Sequence, residues 1–220
     1  MNIQYLGTRE YSQVLELQRE IFDKIINNKL DKNYSNIDKL ESLLLVEHPH
    51  VYTLGKNGDV NNLLINKDFL DSINASYFKV DRGGDITYHG YGQLVGYPIL
   101  DLERHKLGIK NYIWAIEESV IRTIAEYGIT GERLSGATGV WIEPNKRARK
   151  ICAIGIRASR WVTMHGFALN VSTDLKYFSY INPCGFIDKG VSSIEKECNK
   201  KVNLTEVAEK FTKHFIALIA

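Results

Sequence analysis

The sequence lacks the features that mark disulfide-stapled, disordered and membrane-spanning chains. Its 220 residues include four prolines and three cysteines, Cys152, Cys184 and Cys198. An odd and sparse set of cysteines argues against a disulfide framework and favours a reducing compartment. So few prolines argue against disorder and collagen-like structure. Because no run of about eighteen apolar residues occurs, we expect no transmembrane helix.

The chain also lacks a large excess of charge of either sign. Lysine and arginine total 28, and aspartate and glutamate total 26, which gives a formal net charge of +2. This balance gives no electrostatic case for a nucleic-acid or membrane partner. The acidic residues Glu10, Glu16 and Glu20 argue against a signal or transit peptide at the start of the chain. We therefore expect a cytoplasmic protein with one domain spanning residues 1–220.

Hydrophobic periodicity predicts strands in the middle of the chain and helices around them. Helices are predicted at 9–29, with Thr8 as N-cap, at 110–127, and at 204–219, with Asn203 as N-cap. The predicted strands are apolar or β-branched runs at 42–46, 51–54, 76–80, 93–100, 139–143, 150–159 and 161–172. The last two are candidates for a hairpin. This order indicates an α/β or α+β fold.

A glycine-rich segment, RGGDITYHGYG, separates two of the predicted strands. Its glycine density indicates unusual backbone geometry or close approach to a ligand. It is not a dinucleotide fingerprint, because its GxGxxxG spacing leads into a strand, and the chain has no P-loop motif. The lone pair His48 and His50, without any CxxC, gives little support to a metal site. The basic run at 146–150 is most simply a solvated turn.

Cys184 differs from the other two cysteines because it lies in the sequence Asn-Pro-Cys-Gly. A rigid proline followed by a permissive glycine can hold a thiol exposed, near backbone N–H groups that bind an oxyanion. A free thiol with a pKa of ~8.5 is only about 3% thiolate at pH 7, so a nucleophilic cysteine needs a basic partner. The candidates are His89, His165 and the basic residues before the strand at 150, and spacing does not choose among them. A tight turn with a semi-buried thiol is the alternative.

Longer strings of sequence resemble a known family. RGGDITYHGYGQLVGYPILDL, GVWIE, KICAIGIRASRWVTMHGFALNV and INPCG occur in the same order and spacing as in the lipoyl(octanoyl) transferases, over about residues 44–188. The resemblance implies a mixed β-sheet flanked by helices, like the catalytic domains of biotin protein ligases and lipoate-protein ligases. It also implies octanoyl transfer from octanoyl-acyl carrier protein to a lysine of lipoyl domains, without a cofactor.

The resemblance assigns roles to particular residues. It implies a catalytic dyad of Cys184 and Lys150. It implies an acyl-binding set consisting of Arg82, Gly83, Gly84, Asp85, Ile86, Thr87, Tyr88, His89, Ala153, Ile154, Gly155, Gly166, Phe167 and Ala168. The chain departs from the family pattern at Tyr91, where proline is usual, and at Cys152, where alanine is usual; a cysteine there narrows the expected space near the acyl site.

Strand alternation raises one conflict with this assignment. In a regular strand Lys150 shares a face with Cys152 and lies opposite Ala153 and Gly155. A position of Lys150 in the loop before the strand, or at a bulge, removes the conflict.

The implied mechanism is ping-pong acyl transfer through a thioester on Cys184, with Lys150 handling protons. The expected acceptors are lipoyl domains of 2-oxoacid dehydrogenase acyltransferase subunits and the glycine cleavage H protein, and the expected state is a monomer. Lys146, Arg147 and Arg149 are candidates for docking acidic carrier proteins. Three alternatives stay open: an ATP-dependent lipoate-protein ligase of the same fold, a catalytically silent binding module, and a cysteine thioesterase.

Overall fold

The computed structural model describes residues 1–182 and 189–220. Two β-sheets organise this part of the chain. The larger sheet has eight strands within the described residues. In chain order they are β1 (Asn2–Thr8), β2 (Ser42–Glu47), β6 (Gln93–Ile99), β7 (Glu132–Leu134), β8 (Ala137–Ile142), β9 (Arg149–Ser159), β10 (Val162–Asn170) and β11 (Gly190–Val191). The smaller sheet contains β3 (Val51–Leu54), β4 (Ser76–Lys79) and β5 (Ile86–His89).

The larger sheet is mixed. Its spatial order is β1-β2-β6-β10-β9-β8-β7, and β11 adds to β9. The β1–β2 and β11–β9 pairs are parallel, and the other pairs are antiparallel. Strands β9 and β10 form the expected hairpin. In the smaller sheet, β3 pairs parallel to β4 and antiparallel to β5.

Helices cover both faces of the larger sheet. The helices are α1 (Tyr11–Leu30), α2 (Ile37–Leu40), α3 (Lys67–Ser72), α4 (Ile109–Ala125), α5 (Ile194–Cys198) and α6 (Leu204–Ile219). Along β2, Leu43 and Leu45 pack in the core beneath α4 and α6, whereas Leu44 and Val46 pack beneath α1. Burial on both faces explains why the β2 sequence is a continuous apolar run.

The predicted fold class is confirmed, and the three long helices and most strands lie where periodicity placed them. Asn203 caps α6 as predicted, because its side chain accepts hydrogen bonds from the backbone of Thr205 and Glu206. The Thr8 cap is wrong. Thr8 ends β1, and α1 follows Glu10, which makes no side-chain cap bond. The N-terminal strand β1 and the strand β5 inside the glycine-rich segment were not predicted.

Candidate active site

A cavity of about 990 Å³ lies between the two sheets. Strands β5, β6, β9 and β10 supply much of its wall, and the 3-10 helix Leu175–Tyr180 closes one side. Every residue of the predicted acyl-binding set except Tyr88 lines this cavity within the described structure, and so does Lys150. The structure therefore brings together three segments that are far apart in sequence.

Tyr88 is absent from the described cavity wall and packs in the core of the smaller sheet. Its ring packs against the ring of Tyr177, with 5.0 Å between centroids, and its hydroxyl lies 2.7 Å from Nδ1 of His50. The neighbouring residues Thr87 and His89 line the cavity. The structure thus places Tyr88 in the core of the smaller sheet, whereas the resemblance implied contact with an acyl chain.

The segment at residues 81–85, here called the RGG loop, packs directly onto β9. The backbone N–H of Gly83 donates to the carbonyl oxygen of Ile156 at 2.8 Å. A Cβ atom at Gly155 would lie only 2.9 Å from the Gly83 carbonyl oxygen, so this close approach requires a glycine. Gly84 has a φ of +85°, which also favours glycine. Some glycines of the glycine-rich segment are therefore explained by the backbone geometry and packing of this loop on the sheet.

Lys150 reaches the cavity because β9 contains a bulge. Val140 of β8 pairs with Cys152, whereas the next residue, Trp141, pairs with Lys150, so β9 has one residue more than its partner at this point. Ile151 and Cys152 consequently both pack in the core beneath α4 and α6. The bulge resolves the conflict with strand alternation, because Lys150 and Ala153 both line the cavity.

The Lys150 ammonium lies over the face of Trp141. Its Nζ atom is 4.6 Å from the ring centroid, within the range of a cation–π interaction. Trp141 is buried, lines the cavity and donates from Nε1 to the Ala137 carbonyl oxygen at 3.0 Å. No role was predicted for Trp141 from the sequence, although it lies in the GVWIE string.

The prediction that Cys152 narrows the space near the acyl site is wrong. Its side chain is fully buried in the core and is absent from the described wall of the cavity. Burial raises the pKa of its thiol well above the ordinary range. Cys152, where the family usually has alanine, therefore lies in the core and does not narrow the cavity.

Cys184 lies outside the described residues. The described residues on either side of this gap reach the cavity, since Asn182 and Lys189 both line it. Beyond the gap, Val191 of β11 pairs in parallel register with Lys150 of β9. The described chain thus lines the cavity both at Asn182, which precedes these residues, and at Lys189, which follows them.

A buried polar network forms another part of the wall. His89 Nδ1 lies 2.9 Å from Gln93 Oε1, and Gln93 Nε2 donates to Asn170 Oδ1 at 2.9 Å. All three residues line the cavity. Burial lowers the pKa of His89 to about 3, so this histidine is neutral at physiological pH. Gln93 and Asn170 were not singled out in the sequence, because a polar residue within an apolar strand gives no sign of its partner.

The basic residues before β9 do not behave as one group. Arg149 forms ion pairs with Glu143 and Glu197, at 2.6 and 3.0 Å, and is half-buried. Lys146 and Arg147 are exposed. Because Arg149 is held in two ion pairs within the protein, we keep only Lys146 and Arg147 as candidate docking residues.

Within residues 1–182 and 189–220, no group of three or more histidine, cysteine or carboxylate side chains is arranged to hold a metal ion. The helices of the described chain are all too short or too polar to cross a membrane.

Comparison with known proteins identifies relatives of this chain. The family model for the lipoyl protein ligase A/B catalytic domain matches residues 10–216. An octanoyltransferase of Bacteroides fragilis is 51% identical over 211 residues, covering 95% of this chain and 93% of the relative. An octanoyltransferase of Flavobacterium johnsoniae is 52% identical over 222 residues, covering 99% and 96%.

Solved structures show the same architecture at low sequence identity. A bipartite lipoate protein ligase from Thermoplasma acidophilum gives a TM-score of 0.70 at 17% identity, over 99% of this chain and 82% of that one. Biotin protein ligase from Aquifex aeolicus gives a TM-score of 0.53 at 12% identity, over 99% and 68%. The fold is therefore that of lipoate- and biotin-protein ligase catalytic domains.

The chain belongs to the lipoyl protein ligase A/B catalytic domain family. It is an acyltransferase, related to octanoyltransferases by identity at about half of all positions over nearly its full length.

Proposed function

We propose that the protein transfers an octanoyl group from octanoyl-acyl carrier protein to a lysine of lipoyl domains, which is the first step of endogenous protein lipoylation. The acceptors are lipoyl domains of 2-oxoacid dehydrogenase acyltransferase subunits and the glycine cleavage H protein. The proposal includes a single catalytic domain over residues 1–220, a monomer, a cytoplasmic location and no cofactor. The observation that carries it is the position of Lys150, inside a large cavity and paired with the strand that follows the Cys184 segment.

In the proposed first half-reaction, Cys184 is the nucleophile and Lys150 the acid and base. A lysine side chain close to a thiol favours the thiolate, which attacks the carbonyl carbon of the donor thioester. A new carbon–sulfur bond forms at Cys184, the bond to the carrier sulfur breaks, and the carrier thiolate takes a proton from the Lys150 ammonium. Backbone N–H groups near the site stabilise the oxyanion that develops.

In the second half-reaction the acceptor lysine replaces Cys184 on the acyl carbon. The acceptor ammonium first gives a proton to the neutral Lys150 amine. Its amine then attacks the thioester, the amide bond forms, and the bond to the Cys184 sulfur breaks. The second proton of the amine goes to solvent. Conversion of a thioester into an amide is downhill, so no nucleotide is required.

The cavity wall suits an alkyl chain. Its apolar residues include Ile113, Ile154, Ile156 and Phe167, and its floor includes Ala153 and Ala168. Each methylene moved from water into such surroundings contributes ~0.8 kcal/mol, so an eight-carbon chain gains several kcal/mol of binding free energy. The exposed residues Lys146 and Arg147, in the turn before β9, are proposed contacts for acidic carrier proteins.

The structural likeness to an ATP-bound lipoate-protein ligase A, with a TM-score of 0.69, favours one alternative, an ATP-dependent ligase of the same fold. Such an enzyme activates a free acid and does not need a cysteine nucleophile. A transfer assay separates the two functions. We expect a lipoyl domain to gain an octanoyl group from octanoyl-carrier protein without ATP. Gain from free octanoate only when ATP is present would establish the ligase, and octanoate release without transfer would establish a thioesterase.

Lys150→Arg tests the proton transfer within the same assay. Arginine keeps the positive charge but does not release a proton at physiological pH, so a fall in kcat of at least ~100-fold is expected. Lys146→Arg, in an exposed position of the preceding turn, is the matched control and is expected to leave kcat unchanged.

A further inference from the structure

Gly139, the first residue of the GVWIE string, lies in β8 beside the Lys150 side chain. A Cβ atom at Gly139 would lie 3.6 Å from Cε of Lys150, so the lysine stem passes close to this backbone. The same Cβ atom would lie only 2.5 Å from the Cys152 carbonyl oxygen, and Gly139 has a φ of +123°. Both facts require a glycine at this position. The β8 backbone at Gly139 therefore forms part of the surface beside the Lys150 side chain.

A buried carboxylate binds this glycine. The Gly139 N–H donates to Oε1 of Glu117 at 3.0 Å, and the bond is buried. Glu117 belongs to α4, whose buried face also carries apolar side chains such as Ile116 and Val120. The second carboxylate oxygen, Oε2, accepts a hydrogen bond from Nε of Arg133 at 3.0 Å. Glu117 thus connects α4 to β7, through Arg133, and to β8, through Gly139.

The bond from Gly139 lies next to the bulge that turns Lys150 toward the cavity. Val140, the residue after Gly139, forms the pair with Cys152 at which the bulge begins. Glycine is the residue with the greatest backbone freedom, so a contact from outside the strand helps to hold it in one conformation. Glu117 supplies such a contact. Without this carboxylate a buried N–H loses its acceptor, and movement of Gly139 toward another acceptor would change the surface beside Lys150.

Core packing gives no reason for a carboxylate at this position of α4. Taking a carboxylate out of water is costly, and a buried ion pair is often no more stabilising than apolar residues of the same volume. The neighbouring residues Ile116 and Val120 show that α4 packs on an apolar core at this level. The hydrogen bond to Gly139 supplies the reason that packing does not.

We propose that Glu117 is a positioning residue for acyl transfer. Through the Gly139 N–H it fixes the β8 backbone beside Lys150, and it thereby keeps the Lys150 ammonium over Trp141 and inside the cavity. Glu117 is absent from the described cavity wall, so it acts through Gly139 and not by contact with the substrate. The inference rests on the proposed function, since it concerns the lysine that handles protons in that reaction.

Steady-state kinetics of octanoyl transfer from carrier protein to a lipoyl domain tests this role. Glu117→Ala removes the acceptor of the Gly139 N–H, and kcat is expected to fall ~10-fold or more, because a misplacement of about 1 Å is enough to slow a reaction by such factors. KM for the carrier protein is expected to stay within about twofold of the original value, since no contact with the donor is removed. An unchanged kcat in the folded variant overturns the inference.

Glu118→Ala is the matched control. Glu118 is the next residue of α4, and its carboxylate accepts a hydrogen bond from Nη2 of the same Arg133 at 2.9 Å. The Gly139 N–H donates to Glu117 and not to this residue. Glu118→Ala is therefore expected to leave kcat unchanged. An equal fall in kcat in both variants would assign the effect to the arginine and would overturn the inference.

A spectroscopic measurement reads the position of Lys150 without acyl transfer. Reductive methylation with isotopically labelled formaldehyde marks the lysine amines and keeps their positive charge, and the Lys150 signal is the one missing from Lys150→Arg. Because the Lys150 Nζ atom lies 4.6 Å from the Trp141 ring centroid, the ring current shifts this methyl proton signal upfield. Glu117→Ala is expected to move the signal toward those of exposed lysines, and Glu118→Ala is expected to leave it in place. An unmoved signal in Glu117→Ala overturns the inference.

A second variant covers the case in which Glu117→Ala does not fold, as judged by circular dichroism. Glu117→Asp keeps the charge but withdraws the carboxylate by about one carbon–carbon bond, ~1.5 Å, so the Lys150 signal is expected to move in the same direction. An unmoved signal in this variant likewise contradicts the inference. If the original chain transfers no octanoyl group, the proposed function fails, and the methyl signal alone then decides whether Glu117 positions Lys150.

Discussion

The backbone N–H of Ser192 donates to the carbonyl oxygen of Lys150 at 3.0 Å. This bond ties the segment that follows the Cys184 region to the strand carrying the lysine. Ser192 in turn donates from its hydroxyl to Glu197, and Glu197 pairs with Arg149. Arg149 is the first residue of β9 and the neighbour of Lys150. Its ion pair with Glu197 therefore links this strand to helix α5.

Arg149→Ala is expected to lower the free energy of unfolding by about 1–3 kcal/mol, because it removes the guanidinium that pairs with Glu143 and leaves the mostly buried Glu197 carboxylate without this partner. Urea denaturation measures this change. Arg147→Ala, two residues earlier and exposed, is expected to stay within ~0.5 kcal/mol of the original chain. Equal changes in the free energy of unfolding for the two variants would refute this structural role of Arg149.

Trp141 is expected to orient the Lys150 ammonium. Trp141→Leu removes the aromatic face, and a cation–π contact of ~0.5–2 kcal/mol corresponds to a loss of about 2- to 30-fold in the rate of acyl transfer. Trp141→Phe keeps an aromatic face while losing the bond from Nε1, so it is expected to retain more activity than Trp141→Leu. If the two variants are equally slow, the ring face is not what positions the lysine.

Two buried histidines make the free energy of unfolding depend on pH. Burial lowers the pKa of His48 to about 4 and that of His89 to about 3, whereas an unfolded histidine titrates near ~6.5. Between these values the unfolded state binds more protons. The stability contributed by the depressed pKa values is complete above about pH 6.5 and is lost as the pH falls toward 4.

Urea unfolding between pH 7 and pH 5 measures this dependence. Each histidine contributes a slope of up to ~1.4 kcal/mol per pH unit. His48→Gln keeps groups able to bond the Arg9 carbonyl and the Tyr97 hydroxyl but does not titrate, so the slope is expected to become shallower. A variant with the same slope would show that His48 is protonated equally in both states.

Charge reversal tests the proposed docking surface. The double variant Lys146→Glu with Arg147→Glu is expected to raise KM for an acidic carrier protein several-fold, mainly at low salt, because exposed charges are screened within about 10 Å at 0.1 M salt. The expected kcat is unchanged, since neither side chain belongs to the described cavity wall. Steady-state kinetics at two salt concentrations measures both quantities, and an unchanged KM at low salt removes these residues from docking.

The sequence was sufficient for elements whose signal is local. Helix α6 has its apolar stripe and its Asn203 cap within one continuous segment, and β2 is a single apolar run. Strand β5 was hidden because its neighbours in the glycine-rich segment suggest a loop, and its pairing with β3 depends on residues more than thirty positions away.

The site depended on relationships that no single segment contains. The bulge that turns Lys150 toward the cavity arises from the β8–β9 register, and the same bulge buries Cys152 in the core. Tyr88 was assigned to the acyl-binding set together with Thr87 and His89, although its side chain lies on the other face of β5 from theirs.

The central claim is the thioester on Cys184, and intact mass spectrometry tests it most directly. The full chain is mixed with octanoyl-acyl carrier protein without an acceptor, and its mass is measured before and after addition of a lipoyl domain. We expect one octanoyl group on the protein, absent from Cys184→Ala, retained by Cys198→Ala, and lost to the lipoyl domain when this is added. The absence of an adduct from a chain that transfers octanoyl groups, or an adduct that persists in Cys184→Ala, would contradict the account.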